Sequence, residues 1–184
     1  SVYGKTKLKG EKIIKNFCKK NKINYGILRY FNVAGASQSG KIGQINKGDQ
    51  LFKNLSVELQ KKKPVFKIYG NNYDTKDGSC IRDFIHVSDI AEIHYKVLEK
   101  INKLNISKIL NCGYNKGVSV LEVAKAFEKQ TSKKVEILFS KKRKGDLVKI
   151  IASNNKLKRF INWKPKFNNL NIIVKSCINW EKRQ

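Results

Sequence analysis

The chain has 184 residues, 40% of them hydrophobic, enough to bury the core of a compact α/β unit. Its formal net charge is +26, yet only Arg29, Arg82, Arg143, Arg159 and Arg183 are arginines. The remaining excess is lysine scattered over nearly every segment, which argues against a nucleic-acid reader built on arginine forks and interleaved aromatics.

In chain order, residues 3–20 read as a helix with a rough apolar stripe of Leu8, Ile13, Ile14 and Phe17. Residues 25–31 are rich in β-formers and predict a strand; 32–49 read as a Gly- and Ser-bearing loop. A helix is expected over 51–62, stopped before Pro64, then a short strand over 66–69 and a turn-rich segment. Ser88 is expected to cap a helix to Ile101, and 108–112 to form a strand. Ser119 and Glu122 have capping-box spacing and open a helix through Gln130. A strand over 135–139, a short helix capped by Ser153, and a last helix over 170–180 complete the α/β alternation.

Cys18, Cys80, Cys112 and Cys177 have no zinc-ligand spacing and read as free thiols of a reducing, cytoplasmic compartment. No apolar run approaches membrane-spanning length, so no membrane partner is expected. The chain contains no methionine and no Gly-rich phosphate loop, and its first helix begins without a preceding strand. These features together read as the C-terminal half of a longer protein.

Two patterns could carry chemistry. Tyr3 and Lys7 are spaced i, i+4, so they project from one helix face. An ammonium beside a phenol favours its ionised form, although the same spacing also suits an ordinary solvated helix. Arg82 and Arg143 stand apart from the lysine runs and suit an anion; a salt bridge, such as Arg82 with Asp83, is the plainer alternative.

Three segments carry a resemblance. They are Tyr3-Gly-Lys-Thr-Lys7, Leu28-Arg-Tyr-Phe-Asn-Val-Ala-Gly-Ala36, and Tyr69-Gly-Asn-Asn-Tyr-Asp-Thr-Lys-Asp-Gly-Ser-Cys-Ile-Arg-Asp-Phe-Ile-His86. With them the chain resembles the UDP-glucose 4-epimerase family of the extended short-chain dehydrogenase/reductase superfamily, along that family's C-terminal half. The resemblance implies α/β architecture: residues 1–65 as the end of an NAD-binding Rossmann domain, and 66–184 as a small mixed α/β substrate-binding lobe. Strand 108–112 would return to the Rossmann sheet.

The resemblance also implies roles. Tyr3 would take the proton from the sugar 4-hydroxyl, Lys7 would hold the nicotinamide ribose, and Phe31 would lie at the nicotinamide. Asn32, Gln50, Leu51, Lys67, Ile68, Tyr69, Arg82, Arg143 and Asp146 would contact the nucleotide sugar, with Tyr69 offering a stacking face to uracil. The implied reaction interconverts UDP-glucose and UDP-galactose through a 4-keto sugar with tightly bound NAD, in a homodimer. Gln50 departs from the asparagine or histidine common among relatives, Lys53 from a common proline, and Ile150 from a sugar-facing tyrosine. Alternatives are a related nucleotide-sugar epimerase, a 4,6-dehydratase, or a non-catalytic sugar-nucleotide-binding remnant.

Overall fold

The computed structural model describes residues 1–46, 48 and 50–184. The loop expected over 32–49 therefore includes two residues, Lys47 and Asp49, that lie outside the described residues. Ser1 caps the first helix, α1 (Val2–Lys20), accepting a hydrogen bond on its hydroxyl oxygen from Gly4 N at 3.1 Å. There follow β1 (Gly26–Tyr30), β2 (Asn32–Ala34), α2 (Leu51–Glu58), β3 (Val65–Tyr69), β4 (Ile81–Arg82) and β5 (Phe84–His86). The rest are α3 (Val87–Leu104), β6 (Lys108–Cys112), β7 (Val118–Ser119), α4 (Val120–Thr131), β8 (Glu136–Ser140), β9 (Lys149–Ile150), α5 (Asn155–Ile161) and α6 (Leu170–Glu181).

The extended run from 26 to 34 changes partner midway. β1 lies parallel to β6, and β2 lies parallel to β5, with Phe31 N reaching Cys112 O and Asn32 N reaching Asp83 O at the switch. β3 pairs in parallel with β8, while β4 runs antiparallel to β7 and parallel to β9. The parallel pairs leave the carboxyl ends of β1 and β3 available for a site, where open α/β sheets bind ligands.

Helix packing closes the core. Phe52 and Leu55 of α2, Val123 and Phe127 of α4, and Val174 and Ile178 of α6 are all buried in one cluster. The Phe52 ring meets Phe84 edge-on at 5.0 Å and Phe127 at 5.7 Å between centroids. On the other side α3 sends Ile93, Val97 and Ile101 toward β1. Gly26 suits that contact, since a Cβ there would come within 2.9 Å of Ile101 Cδ1.

Several boundaries differ from expectation, each for a local reason. β2, β4, β5, β7 and β9 are two or three residues long, too short for a period of two to be legible. α2 ends at Glu58 because Gln60 N and Lys61 N turn back three residues, onto Val57 O and Glu58 O. α3 is capped by His86, whose ring Nδ1 accepts from Ser88 N, so Ser88 lies inside the helix. Asn154 precedes α5, but its side chain is committed to Gly113 O at 2.7 Å. The capping box at Ser119 and Glu122 forms with both of its hydrogen bonds.

Candidate functional site

A cleft of about 2010 Å³ opens along β1 and β3 and continues past their carboxyl ends. The residues to which the resemblance gives a catalytic, cofactor or substrate role all line it. Tyr3 and Lys7 enter from α1, Phe31 and Asn32 from the β1–β2 junction, and Gln50 and Leu51 from the start of α2. Lys67, Ile68 and Tyr69 come from β3, Arg82 from β4, and Arg143 and Asp146 from the segment after β8. Residues separated by more than a hundred positions thus line one cleft.

At one end, Tyr3 is 73% exposed, and Lys7 holds its ammonium 5.3 Å from the centre of the Tyr3 ring. α1 is fixed to β1 by a bidentate pair: Arg29 Nε and Nη2 donate to the two Glu11 carboxylate oxygens at 2.7 and 2.6 Å. The hydrogen bond from Arg29 holds the Glu11 carboxyl below its ordinary range. This clamp was not legible in the sequence, because nothing at position 11 or 29 announces a partner eighteen residues away.

At the other end, Arg82 donates from Nη1 to Ile81 O at 2.9 Å and to Leu147 O at 2.8 Å. Its Nη2 lies 3.7 Å from Asp146 Oδ1, which pre-sets the guanidinium plane. The suggested pairing with Asp83 is corrected by strand geometry, since adjacent residues point to opposite faces. Asp83 turns inward and accepts from Tyr114 N at 2.9 Å, Asn115 N at 2.9 Å and Ala152 N at 3.1 Å. Burial pushes its carboxyl up, and these backbone donors oppose the shift.

Arg143 lays its guanidinium over Tyr69, 3.9 Å from the ring centroid, so one face of that ring is covered. The turn that carries Arg143 closes through Asp146 N to Arg143 O at 3.2 Å, with Gly145 at φ +89°. Ile150 stands in register with Arg82 but is not among the residues lining the cleft. His86 is fully buried, stacked on Phe167 at 4.5 Å, and burial pushes its imidazole pKa down. Among the described residues, no cluster of His, Cys, Asp and Glu could hold a metal ion.

Two further cleft residues, Lys53 and Gln44, gain their partners only through the fold. Lys53 is 7% exposed and pairs with Glu181 of α6, its Nζ 3.0 and 2.7 Å from the two carboxylate oxygens. Gln44 reaches Gln50 in the same cleft. Gln44 lies in a stretch without periodicity, and only the fold brings it to Gln50.

Comparison with known proteins bears on the family and the fold. Residues 1–113 match the family described as NAD dependent epimerase/dehydratase family. A UDP-glucose 4-epimerase of Azospirillum brasilense is 37% identical over 181 residues, 98% of this chain and 52% of the relative. The crystal structure of a UDP-glucose 4-epimerase from Stenotrophomonas maltophila, with bound NAD and formylated UDP-arabinopyranose, superposes with a TM-score of 0.89 at 30% identity. It is matched over 98% of this chain and 55% of that one. The Bifidobacterium longum enzyme in complex with NAD+ and UDP gives 0.85 at 31%, over 99% and 55% respectively. The chain spans about half the length of the relatives it matches.

Proposed function

The chain belongs to the NAD dependent epimerase/dehydratase family, and on that footing we propose that its cleft is the sugar-nucleotide half of a UDP-glucose 4-epimerase site. The observation that carries this reading is the convergence of Tyr3, Lys7, Arg82, Arg143 and Asp146 on one cleft. A diphosphate needs fixed, planar donors, and Arg82, held by two carbonyls and Asp146, is such a donor. Arg143, stacked on Tyr69, is the second. The domain assignment proposed with this reading is residues 1–65 to the NAD-binding part and 66–184 mainly to the substrate lobe.

Tyr3 and Lys7 fit the nicotinamide ribose of NAD: a phenol and an ammonium on one exposed helix face, both turned to the cleft. Bound NAD supplies the hydride acceptor and donor for carbon 4 of the sugar. Tyr3 would hold the proton of the 4-hydroxyl on its phenolic oxygen, and Lys7, one turn along the same helix face, would hold the ribose. Phe31, just past the end of β1, lines the same cleft.

Two further readings accompany this one. Val2, Ile13 and Phe17 are 82%, 60% and 60% exposed and fall on one side of α1, which supports a homodimer through that helix. Among the described residues no helix is long and apolar enough to cross a membrane. The four cysteines are free, in keeping with a reducing cytoplasm.

The testing experiment is conversion of UDP-galactose to UDP-glucose by a polypeptide that carries this chain together with the part of its relatives that it does not span. Interconversion without release of reduced cofactor supports an epimerase. A 4-keto-6-deoxy product makes the protein a dehydratase instead.

A further inference from the structure

Gln50 places a primary amide at the edge of the cleft, and which of its two ends faces the ligand decides whether it donates or accepts. The surrounding bonds determine that. Gln44 places its side-chain nitrogen 3.2 Å from Asn46 O, a carbonyl that can only accept, so that end of Gln44 is the donor NH₂. The same nitrogen also donates to Gln50 Oε1. The Gln50 oxygen is therefore turned to Gln44, which leaves its NH₂ as the end of the amide directed away from that contact, a donor for what lies in the cleft.

Gln44 is itself held from behind. Trp180 Nε1 donates to Gln44 O at 2.9 Å. Gly43 lies flat against the indole, where a side chain would begin 2.3 Å from Trp180 Cδ2. The neighbouring Glu181 grips Lys53 in the first turn of α2, three residues beyond Gln50. The end of α6 thus fixes both the Gln44 segment and the helix start that bears Gln50.

From this we infer that Gln44 is a positioning residue, orienting the Gln50 amide so that it donates to an oxygen of the nucleotide sugar. The inference rests on the reading of the cleft as a UDP-sugar site. It adds a residue to which that reading assigns no role. It also makes a counterintuitive ordering of variants. Gln44→Glu is isosteric but offers only acceptors, so the Gln50 amide turns its NH₂ toward residue 44 and presents its oxygen to the ligand. Gln44→Ala removes the constraint and lets Gln50 adopt either orientation. If Gln44 only packed, the smaller side chain would be the worse one.

Calorimetric titration of UDP and of UDP-glucose into the protein and its variants is the test. The expected dissociation constants rise about 3-fold for Gln44→Ala and about 10-fold or more for Gln44→Glu, as for a lost and then a reversed hydrogen bond. A loss with both ligands assigns the accepting oxygen to the uridine diphosphate they share, and a loss with UDP-glucose alone assigns it to the sugar. In a Gln50→Leu background the Gln44→Glu effect should shrink to within about 2-fold, because the two residues then no longer couple. Gln44→Glu binding as tightly as wild type, or less impaired than Gln44→Ala, overturns the inference. So does a full effect in the Gln50→Leu background, which makes it a matter of added charge. No binding by the wild-type protein overturns the UDP-sugar reading itself, and this inference with it.

Discussion

The guanidinium carbon of Arg143 sits 3.9 Å from the centre of the Tyr69 ring, so a cation and an aromatic face are held in contact at the wall of the cleft. The contact needs a flat, delocalised cation. A lysine keeps the charge and loses both the stacking plane and the two-pronged fork. Arg143→Lys is therefore expected to weaken UDP binding by about 1–2 kcal/mol, measured by calorimetry, with the fold unchanged by circular dichroism. Equal affinity in the lysine variant would mean that Arg143 acts as a point charge only.

Tyr3→Phe keeps the ring and the Lys7 contact but removes the phenolic oxygen. In a polypeptide that has the proposed epimerase activity, kcat should fall at least about 100-fold while UDP-sugar affinity stays within a few-fold. Lys7→Met should lower kcat as well and loosen NAD. The 184-residue chain by itself, with no Gly-rich phosphate loop, should show no turnover. A Tyr3→Phe enzyme of near-normal kcat would remove Tyr3 as the base.

The Lys53–Glu181 pair predicts an asymmetry in stability. Their side chains are 6% and 11% exposed, so deleting one leaves the other charge desolvated without a partner. Lys53→Met should cost about 3–5 kcal/mol in urea unfolding, and the double variant Lys53→Met/Glu181→Leu clearly less. A double variant as unstable as the single one would mean that the pair does more than satisfy its own charges.

How much of this was legible in the sequence divides along physical lines. The capping box at Ser119 and Glu122 and the strand at 108–112 rest on local chemistry, and both form. The residues expected at the site carry recognisable neighbours, and the fold gathers them on one cleft. What stayed hidden is pairing across distance. Arg82 turns to Asp146 instead of to its neighbour Asp83, and Glu181 answers Lys53 from the far end of the chain. Gln44 carries no local mark of its contact with Gln50. The His86 cap was hidden for another reason: histidine is not among the usual capping residues, and only burial commits its ring to Ser88 N.

That buried histidine gives the protein an acid-sensitive element. Burial lowers the folded-state pKa of His86, so the unfolded chain binds the proton more readily. Its contribution to stability is complete above the unfolded value of about 6.5 and is lost as pH falls below it. Asp83 has the opposite sign: its raised folded pKa makes its contribution more favourable as pH falls toward the unfolded carboxylate value. His86→Asn retains a capping oxygen without the titration. Unfolding free energies between pH 7 and pH 5 should fall for wild type and be flatter for His86→Asn. Parallel curves would show that His86 is not the group responsible.

The most direct measurement of the central claim, a nucleotide-diphosphate site built on Arg82 and Arg143, is UDP binding by calorimetry to the wild-type protein and to the two alanine variants. The account predicts saturable one-to-one binding by wild type and a loss of about 2–5 kcal/mol in each of Arg82→Ala and Arg143→Ala, as for a desolvated charged hydrogen bond. Absence of binding in wild type, or wild-type affinity in both variants, would contradict it.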